Sequence, residues 1–203
     1  MTPLLLKGLA FGFVLAAAVG PMWLLCLRRT LASGALAGFA SGMGIAVADG
    51  IYGAIAAFGL TALSGALLAQ RFWLGLLGGT FLLYLGARTL VARPASNEAL
   101  AAPERRLLPA FISTLGLTLA NPPTILAFAA VFAGLGLSAH PDYLDAAWVV
   151  AGVFLGSASW WTVLALGASR LRGRLGASHM RGINIVSGLV ILGFALWQLA
   201  RLV

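Results

Sequence analysis

Apolar residues fill this chain in six long runs, over about 8–27, 36–60, 72–91, 107–137, 146–168 and 182–200. A spanning helix needs about 20 predominantly apolar residues, and these runs match that length. Strands of a membrane barrel would be shorter and would alternate polar with apolar positions. The pattern predicts an all-α, polytopic membrane protein with six transmembrane helices.

Two runs carry an internal break. Gly20-Pro21 interrupts the first and Asn121-Pro122-Pro123 the fourth. A proline inside a helix removes a donor and clashes with the preceding turn. In lipid, the freed backbone groups need partners, so such breaks sit where protein or water can supply them. The breaks lie half a chain apart, with three runs in each half. An odd number of spans forces the halves into opposite orientations. The expected plan is two inverted three-helix repeats with helices 1 and 4 broken, an arrangement common in secondary transporters. The chain is thus one transmembrane transporter domain over 1–203. Its halves are about 1–92 and 107–203, joined by a polar loop over 93–106.

Composition narrows the class. Of 203 residues, 61% are hydrophobic and 9% charged, and the mean hydropathy is +1.01. Soluble domains are typically about 25% charged, so a water-facing globule and a disordered chain are both excluded. The net charge is +8, which on a soluble protein would suggest a nucleic-acid partner. Here the placement decides otherwise. Ten of the thirteen Lys and Arg residues lie in or beside the connections after the first, third and fifth runs. By the positive-inside rule these connections face the cytoplasm and both termini face outward. Lipid, not nucleic acid, is the expected partner. The first run could pass for a signal peptide, but it continues past Ala16-Ala17-Ala18 and meets its stronger positive cluster, Arg28-Arg29, only at its end. It is therefore expected to be a retained span. Trp23, Trp73, Trp148 and Trp197 lie near predicted span ends, as interfacial aromatics do. Cys26 is the only cysteine, so an internal disulfide and a cysteine metal cluster are excluded.

Asp49 is the only acid well inside a run. A carboxylate at the bilayer centre costs about 2.5–3.5 kcal/mol on insertion scales, and such residues usually face a cavity or a partner. Asp49 can carry a proton or hold a cation; alternatively it is a structural acceptor that caps a broken helix. Half-helix ends at Gly20-Pro21 and Asn121-Pro122 could hold a carboxylate and an ammonium group. Gly34, Gly38, Gly42 and Gly44 form a small-residue face that permits close helix approach. It would bring Asp49 near the first or fourth span, or support a homodimer. Ser157, Ser159, Trp160 and Trp161 could line a cavity, although serines also bond back to their own helix. His140 and His179 fall in loops without metal-ligand spacing. No zinc-protease H-E-x-x-H motif, cysteine pair or second intramembrane acid is present, so enzyme chemistry, a metal site and a cofactor are not expected.

The ordered residues resemble the LysE/RhtB family of bacterial amino-acid exporters. The first half reads Val19-Gly20-Pro21-Met22, then Arg28-Arg29-Thr30-Leu31, then Gly38 through Gly44-Ile45 to Asp49. The stretches Phe81 to Arg88, Asn121-Pro122, and Ile185 to Val190 are also similar. The family often has Pro-Gly-Pro-Asn at the first break, a Lys after Asn-Pro, and Gly before the aspartate. This chain has Val19 and Met22, Pro123, and Ala48 there. The resemblance implies a bacterial inner-membrane exporter of amino acids or their derivatives, usually driven by proton antiport. Gly20, Pro21, Asn121 and Pro122 would then bind the amino acid together with Asp49, which would also couple the proton. The alternatives are an exporter of a metal cation or other small solute, and a non-transporting membrane scaffold.

Overall fold

The computed structural model describes residues 2–57, 69–92, 107–121, 124, 127–128, 143–172 and 177–202. These residues form seven helices and no strand. They are α1 (Thr2–Ala17), α2 (Pro21–Ser33), α3 (Ala35–Ala57), α4 (Arg71–Val91), α5 (Leu107–Leu119), α6 (Tyr143–Arg172) and α7 (Ala177–Ala200). Four of them, α3, α4, α6 and α7, are long and apolar enough to cross a bilayer, and α1 with α2 passes the same test as a pair bent at a short break, as a broken span or a re-entrant loop would be. The remaining run is represented by α5, which is apolar but has only 13 residues. Most of its continuation, including Pro122 and Pro123, lies outside the described residues, as do the loop over 93–106 and His140.

The first span differs from its expected outline. It starts at Thr2 rather than Gly8, and breaks between Ala17 and Pro21 with a bend of 77°. Its second half runs on to Ser33, so Arg28 and Arg29 are helical rather than loop residues. The chain then reverses at Gly34, whose φ of 93° suits a residue without a Cβ. Gly34 is thus the hinge between α2 and α3 and not part of the α3 face. The fifth run also extends at both ends. Its helix has 30 residues, about 45 Å at 1.5 Å per residue. Asp145, expected in a loop, lies in its first turn, where a carboxylate complements the helix dipole.

Close backbone approach organises the packing. A Cβ on Gly8 or Gly12 would overlap the carbonyl oxygens of Val149 or Val153, and one on Gly152 or Gly156 would overlap those of Leu5 or Leu9. Small residues at four-residue spacing thus let α1 and α6 meet backbone to backbone. The α3 face works similarly: Gly42 receives Trp161 of α6, and Gly44 receives the α5 backbone at Phe111. That face is consumed inside the chain, where it would otherwise be open to a second copy. The main pairings are α1 with α6, α3 with α5 and α6, and α4 with α7. Large apolar side chains such as Val14, Leu77, Leu108, Val163, Val186 and Leu196 are exposed on the outside, as expected of a surface solvated by lipid.

Adding one methyl group tests this arrangement. Gly12→Ala should destabilise the detergent-solubilised protein by about 1–3 kcal/mol through overpacking. Gly116→Ala, where a Cβ meets nothing within 4 Å, should leave the thermal midpoint unchanged or raise it. Equal midpoints for the two variants would contradict the close α1–α6 contact.

Candidate functional site

The two breaks lie side by side. A cavity of ≈ 240 Å³ is lined by Gly20 and Pro21 from the first break, Asn121 from the second, and Asp49 from α3. Met22, Trp23, Ile45, Thr118, Trp161 and Phe194 complete much of its wall. Four of the five sequence-predicted site residues are therefore brought together, and Pro122 falls outside the described residues.

Each break has a distinct local chemistry. Gly20 is the N-cap of α2 in an extended conformation, with no side-chain cap, and Pro21 opens the helix. The first-turn amides of a helix lack intrahelical partners and carry partial positive charge. At the second break α5 ends at Leu119, and Tyr52 donates its hydroxyl to the Leu119 carbonyl at 2.6 Å. Tyr52 lies three residues beyond Asp49, so α3 itself supplies the cap for the broken α5. Asn121 and Thr124 close a local turn, with Asn121 Nδ2 donating to Thr124 Oγ1 at 2.9 Å.

Asp49 is 3% exposed. Ser157 of α6 donates to its Oδ2 at 2.7 Å, rather than bonding back to its own helix. Ser159 does bond back, to the Leu155 carbonyl. The Leu119 carbonyl at the end of α5 is capped by Tyr52. Four residues that line the cavity, Trp23, Thr118, Asn121 and Trp161, each carry a buried side-chain nitrogen or oxygen without a hydrogen-bond partner: Trp23 Nε1, Thr118 Oγ1, Asn121 Oδ1 and Trp161 Nε1. An unmet buried group costs about 1–3 kcal/mol.

Several contributors were not legible in one dimension. Trp23 lines the cavity beside the first break. By contrast, Trp73 and Trp197 are exposed, and Arg201 lies over the Trp197 ring at 4.3 Å. Thr118 gave no signal beyond its nearness to Asn121. Arg29 donates to Ser41 Oγ, to the Ala110 carbonyl and to Ser113 Oγ at 3.1, 3.0 and 2.8 Å. It joins α2, α3 and α5. Among the described residues, no three His, Cys, Asp or Glu side chains cluster as metal ligands.

A bundle of apolar helices with a broken span, and a cavity beside a buried carboxylate, fits a multi-pass membrane protein. The chain belongs to the LysE type translocator family, whose match covers residues 13–201. It is 26% identical over 197 residues to the Bacillus subtilis (strain 168) protein named "Putative amino acid efflux protein YcgF", covering 95% of this chain and 93% of the relative. No solved structure gives a significant match.

Removing an unmet hydroxyl without changing shape tests the polar character of the cavity. Thr118→Val should raise the stability of the ligand-free protein by about 1 kcal/mol, read as a higher thermal midpoint. A lowered midpoint would show that the hydroxyl is already bonded.

Proposed function

We propose that this chain exports amino acids or close derivatives across the bacterial inner membrane by proton antiport, with the cavity between the two breaks as its substrate site. The observation that carries this proposal is convergence. Gly20, Pro21, Asp49 and Asn121 come from distant parts of the chain and line one cavity. Membership of a translocator family and the name of the Bacillus relative support transport and an amino-acid cargo.

The chemistry follows from the parts. The uncapped N-terminus of α2 suits the substrate carboxylate. Asp49 suits its ammonium group, and the faces of Trp23 and Trp161 add cation–π attraction. Pro122 is assigned to the same site as a neighbour of Asn121. A carboxyl that has taken up a proton no longer holds an ammonium by charge. Proton and substrate therefore compete for Asp49, and each arriving proton favours release of the cargo. Such mutual exclusion is what antiport requires.

The packing supports an inverted repeat. Exchanging the first three spans for the last three turns the α1–α6 pairing into α5–α3, and both occur. The α3–α6 and α4–α7 pairings map onto themselves, and both occur as well. Rocking of one half against the other would alternate access to the cavity. The basic ends near Arg28, Arg88, Arg170 and Arg181 are assigned to the cytoplasm, with both termini outside.

Cells loaded with dipeptides generate high internal amino-acid pools. Cells expressing the protein should release at least one amino acid faster than control cells. Asp49→Asn should reduce that release to the control level while the amount of protein in the membrane stays the same. Normal release by Asp49→Asn would remove the role given to Asp49. No difference for any amino acid would remove the proposed cargo class.

A further inference from the structure

A second, larger cavity of ≈ 470 Å³ opens nearer the arginine-rich end. Its walls come from α2, α4 and α5, with Ala37 of α3, and three of its lining residues are Arg28, Arg29 and Arg88. None of the described lining residues is acidic. The guanidiniums are oriented by neighbours. Arg28 donates Nε to Asn184 Oδ1 at 3.1 Å, Arg29 is held by Ser41, Ala110 and Ser113, and Arg88 reaches the Tyr84 hydroxyl. Arginine stays charged at any physiological pH, and a fixed positive charge attracts a carboxylate through charge-assisted hydrogen bonds.

The two cavities share helices α2 and α5. On α2, Met22 and Trp23 line the central cavity and Arg28 and Arg29 the arginine cavity. On α5, Thr118 lines the first and Ala110 and Ser113 the second. Between these positions lies a buried apolar cluster of Leu25, Leu82, Leu117, Ile191 and Ala195. Met22 and Phe194, which line the central cavity, pack on one side of this cluster. Leu25, a member of it, also lines the arginine cavity.

We infer that the arginine cavity is the cytoplasmic mouth of the transport path, where Arg28, Arg29 and Arg88 take the substrate's carboxylate, and that the Leu25–Leu117 layer is the inner gate, closed in this structure. This assignment rests on the proposed export of amino acids and adds a second binding station to it. The carboxylate is the one charged group common to all amino acids besides the ammonium. An arginine mouth therefore concentrates the whole class regardless of side chain, and the central cavity selects among its members. Passage between the stations requires Leu25 and Leu117 to part, which separation of α2 from α5 would achieve. Arg29 bridges those helices and would be drawn along with the moving half.

The test uses protein reconstituted in phosphatidylcholine vesicles, with the arginine end of a fraction of molecules outward. Uptake is measured for the amino acid released fastest from dipeptide-loaded cells. Arg28→Gln combined with Arg88→Gln should raise the half-saturating concentration about tenfold, the loss expected for one charge-assisted hydrogen bond. Arg28→Lys with Arg88→Lys should stay within about threefold of wild type. External succinate, a carboxylate without an ammonium, should inhibit wild-type uptake competitively at matched ionic strength. It should inhibit the double Gln variant about tenfold less. Unchanged half-saturation, or undiminished inhibition by succinate, overturns the assignment. So does equal loss of transport in the Lys pair, which would mark the arginines as structural. A defect seen only when phosphatidylglycerol is added would assign the cavity to a lipid phosphate instead. Normal transport by Asp49→Asn would sink the role of the central cavity while leaving the arginine result standing. Absence of any transported amino acid removes both.

Discussion

The lack of water inside a bilayer governs this structure. A backbone group released by a helix break must find its partner in protein or in a polar cavity. The chain breaks twice, and the two sites answer differently. At the end of α5 the orphan carbonyl of Leu119 is met from outside its own helix by Tyr52. At the start of α2 no side-chain cap is present, and the adjoining residues face a cavity. One break thus has a carbonyl capped by Tyr52, and the other has no side-chain cap. Asp49 sits one helical turn from Tyr52, so the residue that seals one break also fixes the depth of the carboxyl beside the other.

The close approach of helices follows from the same constraint. Lipid gives apolar surfaces little reason to pair, so association relies on contact between backbones and on buried polar bonds. Gly8, Gly12, Gly152 and Gly156 make the α1–α6 seam possible. The Ser157–Asp49 bond, the Thr114 bond to the Ser41 carbonyl and the Gln198 bond to the Gly75 carbonyl lock other seams. Unmet indole, hydroxyl and amide groups remain on Trp23, Thr118, Asn121 and Trp161, which line the cavity, and on Trp148, Trp160 and Gln198 elsewhere.

Much of the fold was legible in one dimension because a spanning helix advertises itself by length and polarity alone. The outline of α4, the end of α7, the break at Gly20-Pro21 and the singular position of Asp49 needed no partner to be seen, whereas α7 starts at Ala177, five residues before the expected Gly182. What could not be read depends on which faces meet. Ser157 looks like any membrane serine until α6 lies against α3. Trp23 resembles an interfacial anchor until the 77° bend turns it toward the second break. Gly8 and Gly12 have the right spacing for close packing, but they sit in a run whose true start at Thr2 hydropathy did not mark. Arg28 and Arg29 looked like the end of a helix because charge normally ends an apolar run. Here the acceptors Asn184, Ser41 and Ser113 make room for both inside it.

The apolar cluster of Leu25, Leu82, Leu117, Ile191 and Ala195 has an electrical consequence. A bacterial membrane stores its working energy as a voltage and a proton gradient, and any continuous file of water through a protein would short-circuit it. Protons hop along water only where each molecule has a neighbour to donate to. A slab of aliphatic carbon one side chain thick offers none, and narrow hydrophobic constrictions empty of water on their own. On the proposed transport path, the two cavities would fill with water on either side while the layer between them insulates the membrane.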